Sequence, residues 1–551
     1  MSWANRAREL LAQNRLEEAI QILADEASRS DDPGLLMTLL QCYLNANRNA
    51  EALAVGLRLM PAYDRDQGVL LNLGLANMRV NRYEDALAAF RRVLDLNPSS
   101  IEALVNLGAV YFGLGMVSEA LDVNKRATAA RPDLVAVWQN YLAILNYDDT
   151  IDVDTLLSEH RRGGAHIARH VGPRPERYAN APDPDRRLRI GYLSGDMFNH
   201  PASHYVEPVL RCHDRGRFDV HVYSLITWRD VVTDALRGYV GPNWHDVGTL
   251  DDAQLFDRIQ ADGIDILVDL SGHTSRNRVL VCARRPAPLV ANWVGYLNTM
   301  GMEGYSYALL DQQLITQRAA HGFAERVLAL PTTAFAYNPL ASPRVPAPFP
   351  HLKNGHIVFG CFNNPAKLSN RCIATWARIL REVPDSRILF KYKTFDAGIV
   401  KERVTAAFAA HGVTADRLVF TGFVPLGAYL DTFAEIDIAL DTFPYTGVTT
   451  TMHTLYMGVP LVSLDGQTPM QRFGNAALRQ IGRPDWIAST VDDYVAAALR
   501  LVGEAKANPG LRADVHRRML AAPMMRHEAM VRDLELGYRH IWRNWCAQAQ
   551  T

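Results

Sequence analysis

Small and apolar positions recur at a fixed interval in the N-terminal part of the chain. The sequence Asn-Leu-Gly at residues 72–74 returns at residues 106–108, which is 34 residues later. The same interval, or one residue less, separates Ala19, Ala52, Ala86 and Ala120, and it also separates Pro98 from Pro132. Antiparallel helices pack closely only where Gly or Ala lies between them, and a proline ends a helix. The pattern therefore predicts stacked helix pairs.

This period resembles that of tetratricopeptide repeats. We count about four units, at residues 1–33, 34–66, 67–100 and 101–134, of which the first two are degenerate. Such units stack into a curved solenoid whose concave face commonly binds peptide, so we expect protein or peptide partners here. The alternative is that the repeats only support the chain or make it a homodimer.

A helix and a linker over residues 135–185 lead from the repeats to a region of alternating strands and helices. The linker is predicted from GPRPERYANAPDPDRR, which is rich in Pro, Arg and Asp. Short β-branched runs predict strands at residues 188–195, 219–226, 264–272 and 289–296 and, after the proline-rich stretch 342–350, at 356–362, 387–393, 417–423, 436–443 and 460–466. Such alternation is typical of doubly wound parallel sheets. We predict two such domains, at residues 186–345 and 346–551, with a ligand cleft at the carboxyl ends of their strands.

Composition narrows the class of protein. The formal net charge is -1 and the sequence pI is about 7.0, so neither nucleic acid nor an anionic membrane is expected as a partner. The six cysteines are scattered without a C-x-x-C pair, which fits a reducing compartment better than a disulfide framework or a zinc site. Neither a secretory signal nor a run of about 18 apolar residues is evident. We therefore expect a cytoplasmic protein.

Two groups of candidate residues follow strands of the first predicted sheet. In SGDMFNHPASHY, His200 and His204 are four apart, which would place both on one helix face. A zinc site is weakly supported because no third ligand is evident, so we interpret this as an active-site histidine near a turn, with a capping or core histidine as the alternative. In DLSGHT, residues 271–274 offer backbone N–H groups at a predicted helix start, which suits an anionic or polyhydroxyl ligand.

Two further groups follow strands of the second predicted sheet. Lys367, after Asn363 and Asn364, is predicted at the start of a helix, where a cation is unfavourable unless it shares an anion with the helix N-terminus. The alternative is a solvated surface lysine. In DTFPYTGVTTTMHTLY, three threonines at 449–451 open a helix after a Gly-containing loop, which is typical of a phosphate site.

Two negative findings sharpen this interpretation. No G-x-G-x-x-G follows an early strand, which disfavours nicotinamide and flavin cofactors, and we expect no cofactor. No convincing D-x-D lies in the second domain, so we expect no metal. The charge on a departing diphosphate would then be met by Lys367 and a helix N-terminus.

Taken together, these blocks resemble the O-GlcNAc transferase and SPINDLY family over nearly the whole chain. The most specific stretches are NHPASH, DLSGHT, RRPAPLVANWVGYLNTMG, FGCFNNPAKLSNRCIATWARILREVPDSRILFKYK and DIALDTFPYTGVTTTMHTLYMGVP. The resemblance implies a GT-B fold, in which two Rossmann-like domains follow a tetratricopeptide superhelix. It also implies a metal-independent transferase that inverts the anomeric carbon of a nucleotide sugar.

The resemblance also implies roles for single residues. His200 would face the acceptor and the donor sugar, and Lys367 would stabilise the leaving group. On the donor side we place Asn364, Tyr429, Thr449, Thr450, Thr451 and His453, together with Gly272, His273 and Thr274 from the first domain. On the acceptor side we place His204 and Tyr296.

Three departures from the family pattern leave the donor open. Val448 replaces the first residue of the usual His-Thr-Thr, His453 replaces a ribose-binding acid, and Tyr429 replaces a base-stacking histidine, although its ring could still stack. We expect transfer of GlcNAc from UDP-GlcNAc to Ser or Thr of a protein. The alternatives are GDP-fucose, as in SPINDLY-type plant enzymes, UDP-glucose transfer to asparagine, transfer to a small molecule or glycan, and an inactive repeat scaffold.

Overall fold

The computed structural model describes residues 3–13, 15–341 and 343–549, which form two compact units. One unit comprises the residues up to Pro132 together with Thr394–Val404, and the other comprises Asp133–Lys393 and the residues from Thr405 onward. The predicted repeats, the proline-rich stretch and the last predicted domain each include positions outside the described residues, namely Met1, Ser2, Asn14, Ser342, Gln550 and Thr551.

The N-terminal unit consists of paired helices, as the 34-residue period predicts. They are α1 (Trp3–Ala12), α2 (Leu16–Ala27), α3 (Pro33–Asn45), α4 (Asn49–Tyr63), α5 (Gln67–Arg79), α6 (Tyr83–Leu96), α7 (Ile101–Gly113) and α8 (Val117–Ala130). The four periodic alanines are fully buried. A Cβ added at Gly74 would lie 2.6 Å from the ring of Phe90, so only glycine allows this approach of α5 and α6.

The starts of alternate helices carry the same period. Asp32, Asp66 and Ser100 are 34 residues apart, and each side chain accepts a backbone N–H of the first turn that follows it. These bonds satisfy donors that helix geometry leaves open, and each such cap stabilises its helix by about 1 kcal/mol. The repeat is thus marked by its caps as well as by its small residues.

The second unit begins with the helices α9 (Val135–Leu145) and α10 (Val153–Ala168). Residues 171–187 then run without helix or strand, as predicted for a linker. Side chains nevertheless tie this stretch to the body of the unit: the Tyr178 hydroxyl donates to the Arg285 carbonyl at 3.1 Å, and Asn180 Nδ2 donates to Asp265 Oδ1 at 2.6 Å. Residues 171–187 are therefore fixed to the body of the unit by hydrogen bonds, and we call them the strap.

Within residues 15–341, seven parallel strands form one sheet in the order β3-β2-β1-β4-β5-β6-β7. They are β1 (Leu188–Ser194), β2 (Phe218–Ser224), β3 (Trp244–Asp246), β4 (Ile266–Asp269), β5 (Leu289–Asn292), β6 (Tyr307–Asp311) and β7 (Arg326–Leu330). Ile190 of β1 pairs with Val220 on one side and with Ile266 on the other. We call the part of the second unit that contains this sheet the first lobe. Its helices are α11 (Ser203–Cys212), α12 (Val231–Val240), α13 (Asp252–Ala261), α14 (Val279–Ala283) and α15 (Gln317–Gly322).

Within residues 343–549, six parallel strands form a second sheet in the order β10-β9-β8-β11-β12-β13. They are β8 (Val358–Cys361), β9 (Arg387–Lys391), β10 (Leu418–Thr421), β11 (Ile438–Leu440), β12 (Leu461–Leu464) and β13 (Ile487–Ala488). We call the part of the second unit that contains this sheet the second lobe. The helices of residues 343–549 are α16 (His351–Asn354), α17 (Asn370–Glu382), α18 (Gly398–Ala409), α19 (Leu426–Asp431), α20 (Thr449–Tyr456), α21 (Pro469–Gln480), α22 (Val491–Ala507), α23 (Leu511–Ala521) and α24 (His527–Ala549).

The last helix returns to the first lobe. On α24, the Tyr538 hydroxyl lies 3.1 Å from that of Tyr192, and Glu535 Oε1 lies 2.9 Å from Nδ1 of His213. Trp542 Nε1 donates to the Asp183 carbonyl of the strap at 2.9 Å. α24 therefore joins the two lobes within one unit.

Nine strands lie where the sequence pattern predicts them, while β3, β6, β7 and β13 were not predicted. β3 and β13 have only three and two residues, which is too short for a periodic signal. β6 reads YALLD and is fully buried, and such a run cannot be told from a helical segment by periodicity. Among the described residues, no helix is long and apolar enough to cross a membrane.

Candidate active site at the switch points of two sheets

Each sheet reverses its strand order at one place, and the candidate residues follow the strands at these places. In the first sheet the reversal lies between β1 and β4, and in the second it lies between β8 and β11. Open parallel sheets bind ligands at the carboxyl ends of strands beside such a switch point. The segment with His200 follows β1, and Lys367 follows β8, so the topology agrees with the predicted cleft.

Lys367 lies at the end of a short 3-10 turn, Pro365–Lys367, and not at the start of a helix as predicted. The helix α17 begins at Asn370, and the Ser369 side chain caps it by accepting the Cys372 N–H at 3.1 Å. The proposed conflict between Lys367 and the N-terminus of its own helix was therefore wrong. Asn364 holds the turn, because its Oδ1 accepts the Ala366 N–H at 3.1 Å.

The Lys367 ammonium is held by the loop after β11. Its Nζ donates to the Thr446 carbonyl at 2.8 Å and lies 4.1 Å from the centroid of the Tyr445 ring. Tyr445 in turn stacks on Tyr147, which follows α9, with ring centroids 4.5 Å apart. A carbonyl, an aromatic face and a stacked ring thus fix the position of this cation before any ligand binds.

Asp441 is a charged neighbour that interacts electrostatically with Lys367 and that the sequence analysis did not assign. It is buried at the end of β11, and its carboxylate accepts the Gly447 N–H at 2.7 Å and the Ser463 hydroxyl at 2.8 Å. Burial raises the pKa of Asp441 to about 6, although these hydrogen bonds and Lys367 favour the charged form. Burial also lowers the pKa of Lys367 to about 8, and the Asp441 carboxylate opposes this shift.

The loop after β11 delivers an open helix N-terminus to the same place. α20 begins at Thr449 as predicted, and Val448 provides no side-chain cap. The first intrahelical donor is the Met452 N–H, which leaves the N–H groups of residues 449–451 without an acceptor within the described part of the chain. A Cβ at Gly447 would lie 2.5 Å from Thr451 Oγ1 and 3.2 Å from Asp441 Oδ1, so a larger residue here would force the Thr451 side chain to move.

Two hydroxyls of α20 form hydrogen bonds, one with the segment after β8 and one with the first lobe. Thr450 Oγ1 donates to Asn363 Oδ1 at 2.6 Å, and the Tyr205 hydroxyl of α11 donates to Thr449 Oγ1 at 3.3 Å. The second contact joins the lobes beside the open N-terminus. Asn363 and Tyr205 were not predicted as site residues, although Tyr205 is the last residue of the motif SGDMFNHPASHY.

His200 precedes α11, whereas His204 lies within it, so the two histidines do not share a helix face as predicted. His200 Nδ1 accepts the Ala202 N–H at 3.3 Å and lies 3.7 Å from Asp196 Oδ2, and its side chain is 36% exposed. Burial lowers the pKa of His200, Arg276 adds to the shift and Asp196 opposes it. His200 is therefore neutral near pH 7, open to solvent and able to accept a proton.

His204 belongs to an aromatic cluster between the lobes. Its Nδ1 lies 2.7 Å from the Asn338 carbonyl, and its ring meets that of His453 edge-on with centroids 5.0 Å apart. The Tyr429 ring also meets that of His453 edge-on, with centroids 5.4 Å apart. Burial lowers the pKa of His204 to about 4 and that of His453 well below 6.5, so both rings are neutral. His453 Nε2 is buried without a hydrogen-bond partner among the described residues.

In the DLSGHT turn after β4, backbone N–H groups form hydrogen bonds within the turn itself. The Ser271 and Gly272 N–H groups donate to Asp269 Oδ1 at 2.9 and 3.2 Å, and the next helix begins only at Val279. The expectation of free amides at a helix start was therefore wrong here. Thr274 Oγ1 donates to the Ser271 carbonyl at 2.8 Å, and His273 is buried with its Nε2 3.2 Å from the Met300 carbonyl. Burial lowers the pKa of His273 to about 3.

Tyr296 is a structural link to the helices that precede the strap. Its hydroxyl lies 2.6 Å from His160 Nε2, accepts from Asn146 Nδ2 at 2.9 Å and lies 3.1 Å from the Leu142 carbonyl. These partners belong to α9, α10 and the residue after α9. The predicted acceptor-side role of Tyr296 gains no support from this enclosed hydroxyl.

Among the described residues, one group of side chains could bring three metal-ligating atoms within 4.8 Å of one another, namely those of His221, His245 and Asp262. It lies on β2, β3 and the end of α13, away from the candidate site. Arg258 donates to His245 Nδ1 at 2.8 Å and to Asp262 Oδ2 at 2.8 Å. A guanidinium that contacts two of the three groups opposes the binding of a cation there.

Comparison with known proteins agrees with this architecture. The family model described as Glycosyl transferase family 41 matches residues 170–339 and 348–534, and the one described as Tetratricopeptide repeat matches residues 5–66 and 71–134. A solved structure, a lysine-to-methionine mutant of the Thermobaculum terrenum O-GlcNAc transferase, is 31% identical and superposes with a TM-score of 0.86. That match covers 93% of this chain and 98% of the other. The predicted GT-B fold with N-terminal tetratricopeptide repeats is confirmed.

Curated relatives extend the comparison to plants. The chain is 33% identical over 419 residues to proteins of Petunia hybrida and Arabidopsis thaliana, each named "Probable UDP-N-acetylglucosamine--peptide N-acetylglucosaminyltransferase SPINDLY". These matches cover 75% of this chain and 45% or 46% of the relatives, so the chain spans about half the length of the curated proteins that it matches. Because the family model matches more than half of the sequence, the chain belongs to glycosyl transferase family 41.

Proposed function

We propose that this protein is an inverting, metal-independent protein O-glycosyltransferase that transfers GlcNAc from UDP-GlcNAc to Ser or Thr of a protein. The observation that carries the proposal is the juxtaposition of Lys367 with the open N-terminus of α20. An ammonium and a row of free N–H groups at a sheet switch point form a site for a diphosphate. Their positions are set before binding, so they stabilise charge without reorganisation.

The donor diphosphate is bound by the second lobe. Lys367 Nζ already has one carbonyl acceptor at 2.8 Å, and its remaining protons point to phosphate oxygens in the proposed complex. The N–H groups and hydroxyls of Thr449, Thr450 and Thr451 bind the same diphosphate. Tyr429 stacks on the base and His453 faces the ribose, where its unpartnered Nε2 can form a hydrogen bond. Asn364, Gly272, His273 and Thr274 complete the donor side.

The reaction is a direct displacement. The acceptor hydroxyl oxygen forms a bond to the anomeric carbon, while the bond from that carbon to the phosphate oxygen breaks and its electron pair leaves with UDP. The acceptor proton passes to His200, which is neutral near pH 7, directly or through water. Lys367 and the α20 amides stabilise the negative charge that develops on the diphosphate. In this scheme no cofactor and no metal takes part.

The sugar is inferred from the relatives. The O-GlcNAc transferase with a matching structure and the plant relatives with GlcNAc-transferase names support UDP-GlcNAc as the donor. The replacements at Val448 and His453 make GDP-fucose and UDP-glucose the competing donors, because both positions border the proposed nucleotide site. The tetratricopeptide match supports a protein acceptor bound by the repeats. The six cysteines are free thiols, which supports action in the cytoplasm.

A panel of UDP- and GDP-sugars tests the proposal. UDP-GlcNAc should raise the melting temperature of the protein more than the other donors, because a ligand that binds only the folded state stabilises it. Intact-mass analysis of acceptor proteins should then show addition of one or more N-acetylhexosamine units on Ser or Thr. A mass increase on Asn, or with GDP-fucose alone, would replace the proposed donor and acceptor.

An inactive scaffold would behave differently in the same panel. It would bind no nucleotide sugar, and the melting temperature would stay unchanged with every donor. The variant Lys367→Met separates binding from chemistry, because it removes the cation and leaves the α20 amides in place. Lys506→Met changes an exposed lysine of α22 and serves as its matched control.

A further inference from the structure

A second cavity lies at the opposite edge of the first sheet from the candidate active site. It has a volume of about 810 Å³ and lies at the amino ends of β1, β2, β4 and β5, whereas His200 follows the carboxyl end of β1. One wall is formed by residues 177–181 of the strap. This volume is typical of small-molecule sites.

Arginines dominate the charge of this cavity. Its lining includes Arg177, Arg186, Arg187 and Arg189, with Asp219 as the one carboxylate among the described lining residues. Arg186 is neutralised outside the cavity, because its guanidinium forms two hydrogen bonds with the fully buried carboxylate of Asp265. Three guanidinium groups therefore remain in the cavity beside a single carboxylate, that of Asp219.

The contacts of Asp219 with these arginines are long. Arg187 lies 3.3 Å from its Oδ1 and Arg189 lies 3.9 Å from its Oδ2, and both arginine side chains are 51% exposed. Asp219 Oδ1 also accepts from Asn243 Nδ2 at 3.0 Å. Arg177 forms no hydrogen bond or ion pair with any described residue. Among the described lining residues, the cavity therefore has more positive than negative charge.

Hydrogen bonds hold the wall of the cavity in place. Asn180 Nδ2 donates to the Gly263 carbonyl at 3.1 Å and to the Ile264 carbonyl at 3.2 Å, which fastens the strap across the start of β4. Arg189 NH1 donates to the Asp262 carbonyl at 3.2 Å, and a Cβ at Gly263 would lie 2.6 Å from that nitrogen. The lack of a side chain at Gly263 thus leaves room for the Arg189 guanidinium beside the place where Asn180 binds the start of β4.

We propose that this cavity is a second binding site, separate from the catalytic cleft, for a small molecule that carries a diphosphate or triphosphate. Guanidinium groups bind phosphate oxygens in pairs, and they retain their charge at every physiological pH. Three of them around one cavity match the charge of a diphosphate better than that of a single carboxylate. The site is independent of the proposed transferase activity.

Isothermal titration of the protein with inorganic pyrophosphate tests the proposal. Lys367→Met weakens the catalytic cleft by removing its cation but leaves the α20 amides, so within this variant only the binding that is lost on changing the cavity arginines reports the second cavity. In that background, Arg177→Gln with Arg187→Gln should weaken binding at least tenfold, because each loses a charged hydrogen bond. Arg543→Gln, which changes an exposed arginine paired with Asp185, should leave binding unchanged.

A second variant acts in the opposite direction. Asp219→Asn keeps the shape of the side chain and removes the competing carboxylate, so pyrophosphate should bind several times more tightly. A merely structural Asp219 would give equal or weaker binding. The proposal is overturned if Asp219→Asn fails to tighten binding, or if the arginine variant binds pyrophosphate as the Lys367→Met parent does. Circular dichroism and melting temperature establish that each variant is folded.

Discussion

The two switch points of the catalytic unit are built from the same topology and differ in what they do with their amides. After β4, the Asp269 carboxylate accepts the N–H groups of Ser271 and Gly272, so the turn is closed by hydrogen bonds within itself. After β11, Asp441 accepts the Gly447 N–H six residues on, and the amides of α20 remain open. Two aspartates at equivalent strand ends thus make one closed turn and one open helix N-terminus.

The charges follow the same division. The second lobe presents Lys367, whose pKa burial lowers to about 8, so the ammonium is the main form at neutral pH. The first lobe presents His200, whose pKa is lowered by burial and which is neutral. A fixed cation suits a ligand that gains negative charge, and a neutral imidazole suits one that loses a proton. Under the proposed function, this difference corresponds to binding of the donor diphosphate by the second lobe and uptake of the acceptor proton by the first.

The sharpest way to break this comparison is to remove the cation. Lys367→Met should lower turnover by about 100- to 1000-fold, as expected when a preorganised group that stabilises leaving-group charge is lost. Initial rates of sugar transfer with saturating donor measure the effect. The Lys506→Met control should transfer at the wild-type rate. A Lys367→Met enzyme that is nearly as fast as wild type would remove the leaving-group role from the second lobe.

The second largest effect is expected from the first lobe. His200→Asn should lower turnover by about 100-fold, within the range of a lost general base, because asparagine cannot accept the acceptor proton. Binding of the donor, measured by titration calorimetry, should be unchanged. A variant that binds donor many times more weakly would show that His200 serves the donor, and the division between lobes would fail.

How far the sequence predicts this site depends on the kind of signal. Thr449–Thr451 could be placed at a helix start because a strand, a Gly-containing loop and three threonines succeed one another along the chain. The position of Lys367 in a 3-10 turn could not, since the helix α17 has its cap two residues later at Ser369. Local patterns predict elements well, but a turn of three residues leaves no periodic trace.

Contacts across the chain were beyond the sequence for a different reason. Tyr205 and Thr449 are 244 residues apart and meet only because both lobes fold. Asp441 is a case between the two, since it falls within the predicted strand 436–443 but its burial near Lys367 depends on the fold. The repeats were the easiest part, because their period of 34 appears in alanines, glycines, prolines and caps at once.

Gly447 allows the open turn to be tested directly. Gly447→Ala should reduce the affinity for donor about tenfold, because its Cβ would lie 2.5 Å from Thr451 Oγ1 and would displace the open amides. Donor titration measures this effect. Gly238→Ala is the matched control, since an added Cβ there meets nothing within 4 Å. Equal donor affinity in both variants would show that the α20 N-terminus does not bind the diphosphate.

The smallest expected effect concerns pH and sharpens the assignment of charge. A lysine is cationic below its pKa, so the contribution of Lys367 is present below about pH 8 and is lost as the pH rises through that value. The value of kcat/KM, which reports the free enzyme, should therefore fall by up to tenfold per pH unit above about 8. Lys367→Arg should abolish this alkaline limb, because a guanidinium stays charged throughout the range. If kcat/KM of Lys367→Arg still falls above about pH 8, a group other than Lys367 titrates in that range. The charge of Lys367 would then not account for the difference between the two lobes.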